Sequence, residues 1–457
     1  MIGIRGRSVI GGGGRVTEKG RGEVAYEFTA FEEPHVSKRM TKRASERQAS
    51  EPNARSRRES GESTLGIGLI GTKFMGRAHA NAWSQASRFF DLPRRPVIRV
   101  VAGRNGPETA AFAERWGIAR PSGDWRELLS DASVDVVDVL TPNHLHAEMS
   151  IAALEAGKHV ACEKPLAGTL EDAKAMAKVA RAAAKRGVKT FVWFNYRRCP
   201  AVAFARQLVD EGRLGRIYHV RASYLQDWGK ASTPLLWRFQ ADQAGSGAHG
   251  DLNAHIIDMA RFITGDEVSE VVGSIEQTFI KERAILAGSG GEIAGRGAST
   301  KKKTGTSTVD DAVLFLARFA GGAIASFEAT RLATGNQNRN QIEINGEKGS
   351  IKFDFERMNE LLWWDDTLPS AVRGWSRIMC TNGGDHPYAS AYWPAAHIIG
   401  YEHGFVSMAA DVALSLSGKK PVVALPDFDD ALKTQAVLEA AIRSARERRP
   451  VAVRELM

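Results

Sequence analysis

The sequence predicts an α/β fold built on a doubly wound, parallel sheet, and three observations carry that prediction. A short apolar run near residue 65 opens into a glycine turn and a helix. Strand-like and helix-like segments then alternate to about residue 194. Polar motifs stand where those strands end. The chain has 457 residues, enough for two domains, since single cores stop growing at about 250–300 residues. A composition 43% hydrophobic and 25% charged is that of a globular protein. No run approaches the roughly 20 apolar residues that cross a bilayer, so no membrane association is expected.

Residues 1–63 come first and differ in kind. They contain Gly11-Gly12-Gly13-Gly14, many Arg and Glu and no periodic apolar pattern, which predicts a disordered extension. Its 13 basic and 9 acidic residues supply +4 of the +9 net charge, leaving the rest only mildly basic and giving no reason to expect nucleic-acid binding. Arg57-Arg58 lacks the apolar stretch of an export signal, and Met40 is an alternative start. The scattered cysteines Cys162, Cys199 and Cys380 suit reduced thiols in a cytoplasmic protein.

Leu65 to Ile70 reads as a strand buried on both faces, running into Gly71-Thr72-Lys73-Phe74-Met75-Gly76 and a helix from Arg77 to Ala86. Strand, tight turn and helix are the arrangement that sets backbone N–H groups against a pyrophosphate. Gly71 makes the turn, Gly76 lets helix and strand approach, and Lys73, Phe74 and Met75 complete the cofactor-binding loop. Lys73 stands where the fingerprint has its second glycine. Val97 to Ala102 is the next strand, followed by a helix from Ala110 to Trp116. Its end, Gly103-Arg104-Asn105, lacks the acid that holds ribose hydroxyls, and Arg104 tilts the expected cofactor, NAD or NADP, toward NADP.

Strands at Val134–Leu140, His159–Cys162 and Thr190–Phe194 alternate with helices at His146–Ala156 and Leu170–Arg186. Thr141-Pro142-Asn143, with His146 close behind, and Glu163-Lys164-Pro165 follow strand ends. Ligands sit beyond those ends in such sheets, so Thr141, Pro142, Asn143, His146, Glu163 and Lys164 are expected to face the cofactor. Lys164 is a cation fit to hold a developing alkoxide. Further on, Asp251, His255 and Asp258 fall at i, i+4 and i+7, one face of a helix whose apolar stripe is Leu252, Ile256, Met259, Phe262 and Ile263. A histidine one turn after a carboxylate is a candidate proton acceptor. The histidine spacings do not suit a zinc site, so no metal is expected.

With Gly71 to His79, Thr141-Pro142-Asn143, Glu163-Lys164-Pro165 and Gly250 to His255 in view, the chain from about Leu65 to Val453 resembles the Gfo/Idh/MocA oxidoreductases. Phe194 to Arg198, Tyr224 to Trp228, Trp237-Arg238, His386-Pro387-Tyr388 and Trp393-Pro394 are most similar to its levoglucosan dehydrogenase-like subgroup. The resemblance implies a Rossmann domain over 64–194 and an α+β domain over 195–457, whose open, largely antiparallel sheet covers the site and forms a homodimer or homotetramer. Strand-like runs at Ile217–Tyr224, Val271–Phe279, Val313–Phe319, Ala323–Ala329, Gln341–Ile344 and Ser350–Phe353 fit that sheet, with an insertion loop between Lys281 and Ser307. It also implies an NAD(P)-dependent oxidation of a sugar, anhydrosugar or polyol hydroxyl. In that reading His255 takes the proton, Lys164 stabilises the alkoxide, and Asp251 orients substrate or histidine. Asn195, Tyr196, Arg197, Gln226 and Arg238 are then candidates for hydroxyl contacts, with Trp228 or Trp237 as a wall. A glycosidase or lyase using transient oxidation, and a non-catalytic dinucleotide sensor, are the alternatives.

Overall fold

β1 (Thr64–Ile70) is apolar along its length and almost wholly buried, as a central parallel strand requires. It leads through the glycine turn into α1 (Phe74–Phe89), and β2 (Arg95–Ala102) follows. α2 (Gly106–Trp116) begins where Asn105 accepts a bond from the Glu108 N–H and ends on left-handed Gly117. β3 (Arg120–Ser122), α3 (Glu127–Ser130), β4 (Val136–Val139), α4 (His146–Glu155), β5 (His159–Cys162), α5 (Leu170–Ala184) and β6 (Thr190–Val192) complete the domain. All pairings are parallel and the strand order is β3-β2-β1-β4-β5-β6, so the topological switch point lies between β1 and β4. A ligand crevice is expected beyond the carboxyl ends of those strands.

The computed structural model describes residues 63–285 and 303–457. The expected disordered extension and the centre of the Lys281–Ser307 insertion lie outside them. In the second domain come α6 (Pro200–Asp210), β7 (Ile217–Leu225), α7 (Ala241–Ala244), α8 (Ala254–Thr264) and β8 (Val268–Gln277). The ends of the insertion pair as β9 (Glu282–Ala284) and β10 (Thr304–Thr306). β11 (Ala312–Phe319), β12 (Ile324–Thr330), β13 (Arg339–Gly346), β14 (Gly349–Asp354), β15 (Glu360–Asp365) and β16 (Ser376–Met379) follow. Then come α9 (Ala389–Tyr392), α10 (Tyr401–Leu416), α11 (Phe428–Glu447) and β17 (Val451–Ala452). The large sheet has nine strands in the order β16-β15-β14-β13-β7-β12-β11-β8-β17, and only β12 and β7 pair in parallel.

Alternation along β11 decides which face of that sheet is core. Val313, Phe315, Ala317 and Phe319 are buried, while Leu314 and Leu316 are exposed. Phe315 stacks on Phe327 of β12 with ring centroids 4.7 Å apart. Each such buried side chain stabilises the fold by about 1.5–3 kcal/mol.

The carboxyl-terminal helices return to the first domain: α10 packs on α1, and α11 packs on both α5 and β8. Val192 N–H donates to the Pro426 carbonyl at 2.9 Å, so the returning chain borders β6. Fully buried Arg198, just past β6, donates to Asp411 at 3.2 Å and to the carbonyls of Val423 and Ala424 at 3.1 Å. These contacts hold the strand ends of the first domain against the inner side of the second. Among the described residues no helix is long and apolar enough to cross a membrane.

Candidate active site

The turn after β1 is built for close approach. Gly71 has φ +126°, and a Cβ there would lie 2.7 Å from the Leu140 carbonyl oxygen; a Cβ on Gly76 would lie 2.5 Å from the Gly71 oxygen. Lys73, where the fingerprint has its second glycine, has φ −80°, so its backbone conformation itself demands no glycine. Its ammonium reaches Glu108 of α2 at 2.6 Å. α1 starts without a side-chain cap, which leaves its first-turn N–H groups for an anion.

A cavity of about 680 Å³ runs from this turn past Gly103, Arg104 and Thr141. It shares Lys73, Arg104, Leu140, Thr141 and Pro142 with a second cavity of about 640 Å³ between the domains. The Thr141 hydroxyl is buried there without a hydrogen-bond partner. A glycine cradle, an uncapped helix start and an orphaned hydroxyl along one continuous cleft fit a dinucleotide.

The inter-domain cavity brings together Lys73, Phe74, Met75, Arg104, Thr141, Pro142, Asn143, Glu163 and Lys164 with Asn195, Tyr196, Gln226, Arg238, Asp251 and His255. Gly71 lines the other end of the cleft. Asn143 bonds the Ala244 carbonyl at 2.9 Å, tying a strand-end loop to the second domain.

Lys164 Nζ donates to the Asp251 backbone carbonyl at 2.7 Å and lies 3.6 Å from its Oδ1. Asp251 Oδ2 is 3.8 Å from Arg331, a fully buried arginine. Burial lowers the Lys164 pKa below the usual lysine range, although Asp251 and Glu163 oppose it. Burial raises the Asp251 carboxyl, but Lys164, Arg238 and Arg331 outweigh it and leave it below the carboxylate range. His255 packs against Tyr196 and Tyr224, with centroids at 4.5 and 5.8 Å, and its Nδ1 is buried without a partner. Burial, with Lys164 adding to it, holds that imidazole well below the usual range, so it is neutral at pH 7.

A polar chain crosses the cavity wall. Trp228 Nε1 donates to Gln226 Oε1 at 2.7 Å, Gln226 Nε2 donates to Asn338 Oδ1 at 2.7 Å, and the Tyr224 hydroxyl donates to the same oxygen at 2.7 Å. Tyr196 lies 2.8 Å from Tyr224 and must be the donor, because the Tyr224 proton is engaged.

Three residues expected at the site have partners elsewhere: Arg197, Asp258 and His146. Arg197 does not line the cavity: it donates to Asp258 at 2.8 Å and to Asp430 at 2.6 Å, so its charge is neutralised in the core. Asp258 is therefore its partner and not a third group beside His255. His146 is fully buried away from the cleft, its ring nitrogens 3.0 Å from the Pro165 carbonyl and 2.9 Å from the Thr141 carbonyl, so it ties the two strand-end loops together. Asp251 lies beside Lys164 and Arg331 and makes no hydrogen bond to His255, so of its two expected roles the orientation of substrate is the one left open. Residues His249–Asn253 form a π-helical turn ahead of α8, which breaks the simple i, i+4 register.

Arg331, Tyr224, Asn338 and Tyr401 also line the cavity. Tyr224 belongs to a motif quoted above, and the polar run Asn336-Gln337-Asn338 was a usable signal. Arg331 carried none, lying just past a strand in no recognisable motif.

Comparison with known proteins agrees with this geometry. Residues 65–193 match the model of an oxidoreductase family with an NAD-binding Rossmann fold, and residues 202–352 match the Gfo/Idh/MocA C-terminal domain. The chain is 41% identical over 384 residues to levoglucosan dehydrogenase from Pseudarthrobacter phenanthrenivorans, covering 83% of this chain and 96% of that one. A structure of levoglucosan dehydrogenase in complex with NADH and levoglucosan aligns with TM-score 0.78 at 40% identity, covering 86% of this chain and 100% of that one. An oxidoreductase domain protein from Kribbella flavida aligns with TM-score 0.79 at 48% identity, over 86% and 99% of the two chains. This chain belongs to the Gfo/Idh/MocA oxidoreductase family.

Proposed function

We propose that the protein is an NAD(P)-dependent dehydrogenase that oxidises a ring hydroxyl of a sugar or anhydrosugar, of the kind levoglucosan dehydrogenase uses. The observation that carries this reading is the convergence of Lys164, Asp251 and the unpartnered His255 in one cavity, continuous with the glycine turn. Gly71, Lys73, Phe74, Met75, Arg104, Thr141, Pro142 and Asn143 would hold the dinucleotide, which when bound supplies the hydride acceptor. The Lys164 ammonium, fixed by the Asp251 carbonyl, faces the substrate oxygen and stabilises negative charge as it develops. His255, neutral at pH 7, receives the hydroxyl proton. Asp251 keeps the ammonium charged, and Asn195, Gln226, Arg238 and Asn338 position the remaining hydroxyls. Trp228 and Trp237 give the ring a flat wall.

The test is a panel of pyranoses, anhydrosugars, inositols and amino sugars with NAD and NADP in parallel, read at the reduced-nicotinamide absorbance. Sustained formation of reduced cofactor with an anhydrosugar or pyranose supports the reading; turnover without net reduction overturns it. Arg104, exposed at the acid-free end of β2, favours NADP, and Arg104→Asp is expected to shift kcat/KM toward NAD. An unchanged ratio refutes that preference.

The outer face of the large sheet supports a homodimer or homotetramer. Ile275, Leu314, Leu316 and Ile324 are each at least half exposed there, beside a charged ladder in which Lys352 lies 3.5 Å from Glu343. Light scattering of Leu316→Asp is expected to show a smaller species than the parent; a monomeric parent contradicts the assembly.

A further inference from the structure

His79 on α1 is fully buried, and both of its ring nitrogens meet carboxylates. Nδ1 lies 2.9 Å from Asp138 Oδ2, and Nε2 lies 2.9 Å from Glu163 Oε1. Asp138, fully buried on β4, also accepts the indole N–H of Trp83 at 2.7 Å and that of Trp193 at 2.8 Å. A carboxylate only accepts, so when Asp138 and Glu163 are both ionised the ring between them donates from both nitrogens. The Trp193 ring, with its centroid 4.0 Å from that of the imidazole, adds a surface that favours a cation. The three charged groups leave one net negative charge beneath the cleft.

Glu163 is where this cluster meets the site. Its N–H donates to the Val139 carbonyl at 2.9 Å, its Oε2 accepts the Lys164 backbone N–H at 3.2 Å, and it lines the cavity. Its position therefore depends on the side chain that holds Oε1. We infer that His79 is a positioning residue: an imidazolium clamped between Asp138 and Glu163 that fixes the Glu163 carboxylate under the Lys164 turn and so aims the Lys164 ammonium. Burial alone would lower the His79 pKa, but the two carboxylates outweigh it and raise it to about 9. Near the cluster, the Cys162 thiol is held well above its usual range by burial, and burial lowers His146, so Lys164 and Arg238 are the cations that Glu163 faces toward the cleft.

The inference rests on the reading of Lys164 as the oxygen-stabilising cation, and its test separates the two. Histidine-selective 15N labelling of the full-length protein, with His79 assigned by difference against His79→Gln, is expected to show both ring nitrogens protonated at pH 7. A singly protonated ring overturns the inference, and where His79→Gln fails to fold the ring is assigned on the parent protein by through-bond correlation to its own backbone amide. In kinetics, His79→Phe is expected to lower kcat about a hundredfold, the scale of a misplacement of about 1 Å, with dinucleotide affinity and KM little changed. His79→Gln keeps an N–H for Glu163 without the charge and should fall between Phe and the parent. Normal kcat in both variants, beside an inactive Lys164→Met, overturns the role of His79 alone. A Lys164→Met enzyme with normal turnover overturns the reading of the site, whatever the His79 variants do.

Discussion

Neutralising Asp251 isolates the electrostatic part of the site. In Asp251→Asn the backbone carbonyl that holds Lys164 Nζ at 2.7 Å is retained, so the ammonium keeps its anchor and loses only the carboxylate at 3.6 Å. At that distance and an effective dielectric of about 20, a pair of unit charges attracts by about 4–5 kcal/mol. Water reaches the Asp251 side chain, which is 23% exposed, and screening trims the figure to about 3 kcal/mol of support for the charged form of Lys164. The sign is downward, because the carboxylate that favours the charged ammonium is gone while burial and Arg238 still disfavour it. Since burial already lowers the Lys164 pKa, the alkaline limb of kcat/KM reports its deprotonation. The expected result is that this limb moves toward neutrality in Asp251→Asn, with the dinucleotide dissociation constant unchanged. An alkaline limb that stays in place while activity falls uniformly refutes the coupling of Asp251 to Lys164.

Two stability measurements extend the account. Phe315→Ala removes a ring stacked on Phe327 in the second core and is expected to lower unfolding free energy by about 3–5 kcal/mol in urea; a loss under 1 kcal/mol would contradict the core assignment. His79, with a folded-state pKa of about 9 against 6.5, stabilises fully below about pH 6.5 and loses that contribution as pH rises through about 9. The difference in stability between parent and His79→Gln should shrink by about 3 kcal/mol from pH 6 to pH 10, and a pH-independent difference would refute the charged ring.

The first domain was legible because its signals are local. Apolar runs, the Gly71 turn and polar strand ends each occupy a few adjacent residues, and the sheet's switch point then places their loops together. β3, three residues with two of them exposed, and the short β16 offered no apolar run to read. The large sheet was expected through resemblance, and its alternation in β11 matches the buried face. Within the site, Arg197 and His146 have partners that helix or strand spacing does not announce. Arg197 looks like a binding residue until Asp430, 233 positions away, takes its charge. His146 sits at a helix start near the cofactor loops, but its ring turns under them to the Pro165 and Thr141 carbonyls. Arg331 reaches Asp251 from the strand end opposite, a proximity set by sheet topology and not by spacing. The π-turn at His249–Asn253 changes a helical register that residue counting takes as regular.

The most direct test compares the parent with Lys164→Met on levoglucosan and the other sugars, measuring reduced-nicotinamide formation beside dinucleotide affinity by fluorescence titration. Sustained cofactor reduction is expected of the parent. Lys164→Met is expected to lose several orders of magnitude in kcat, with dinucleotide binding preserved. Near-normal cofactor reduction by Lys164→Met would contradict the role given to Lys164.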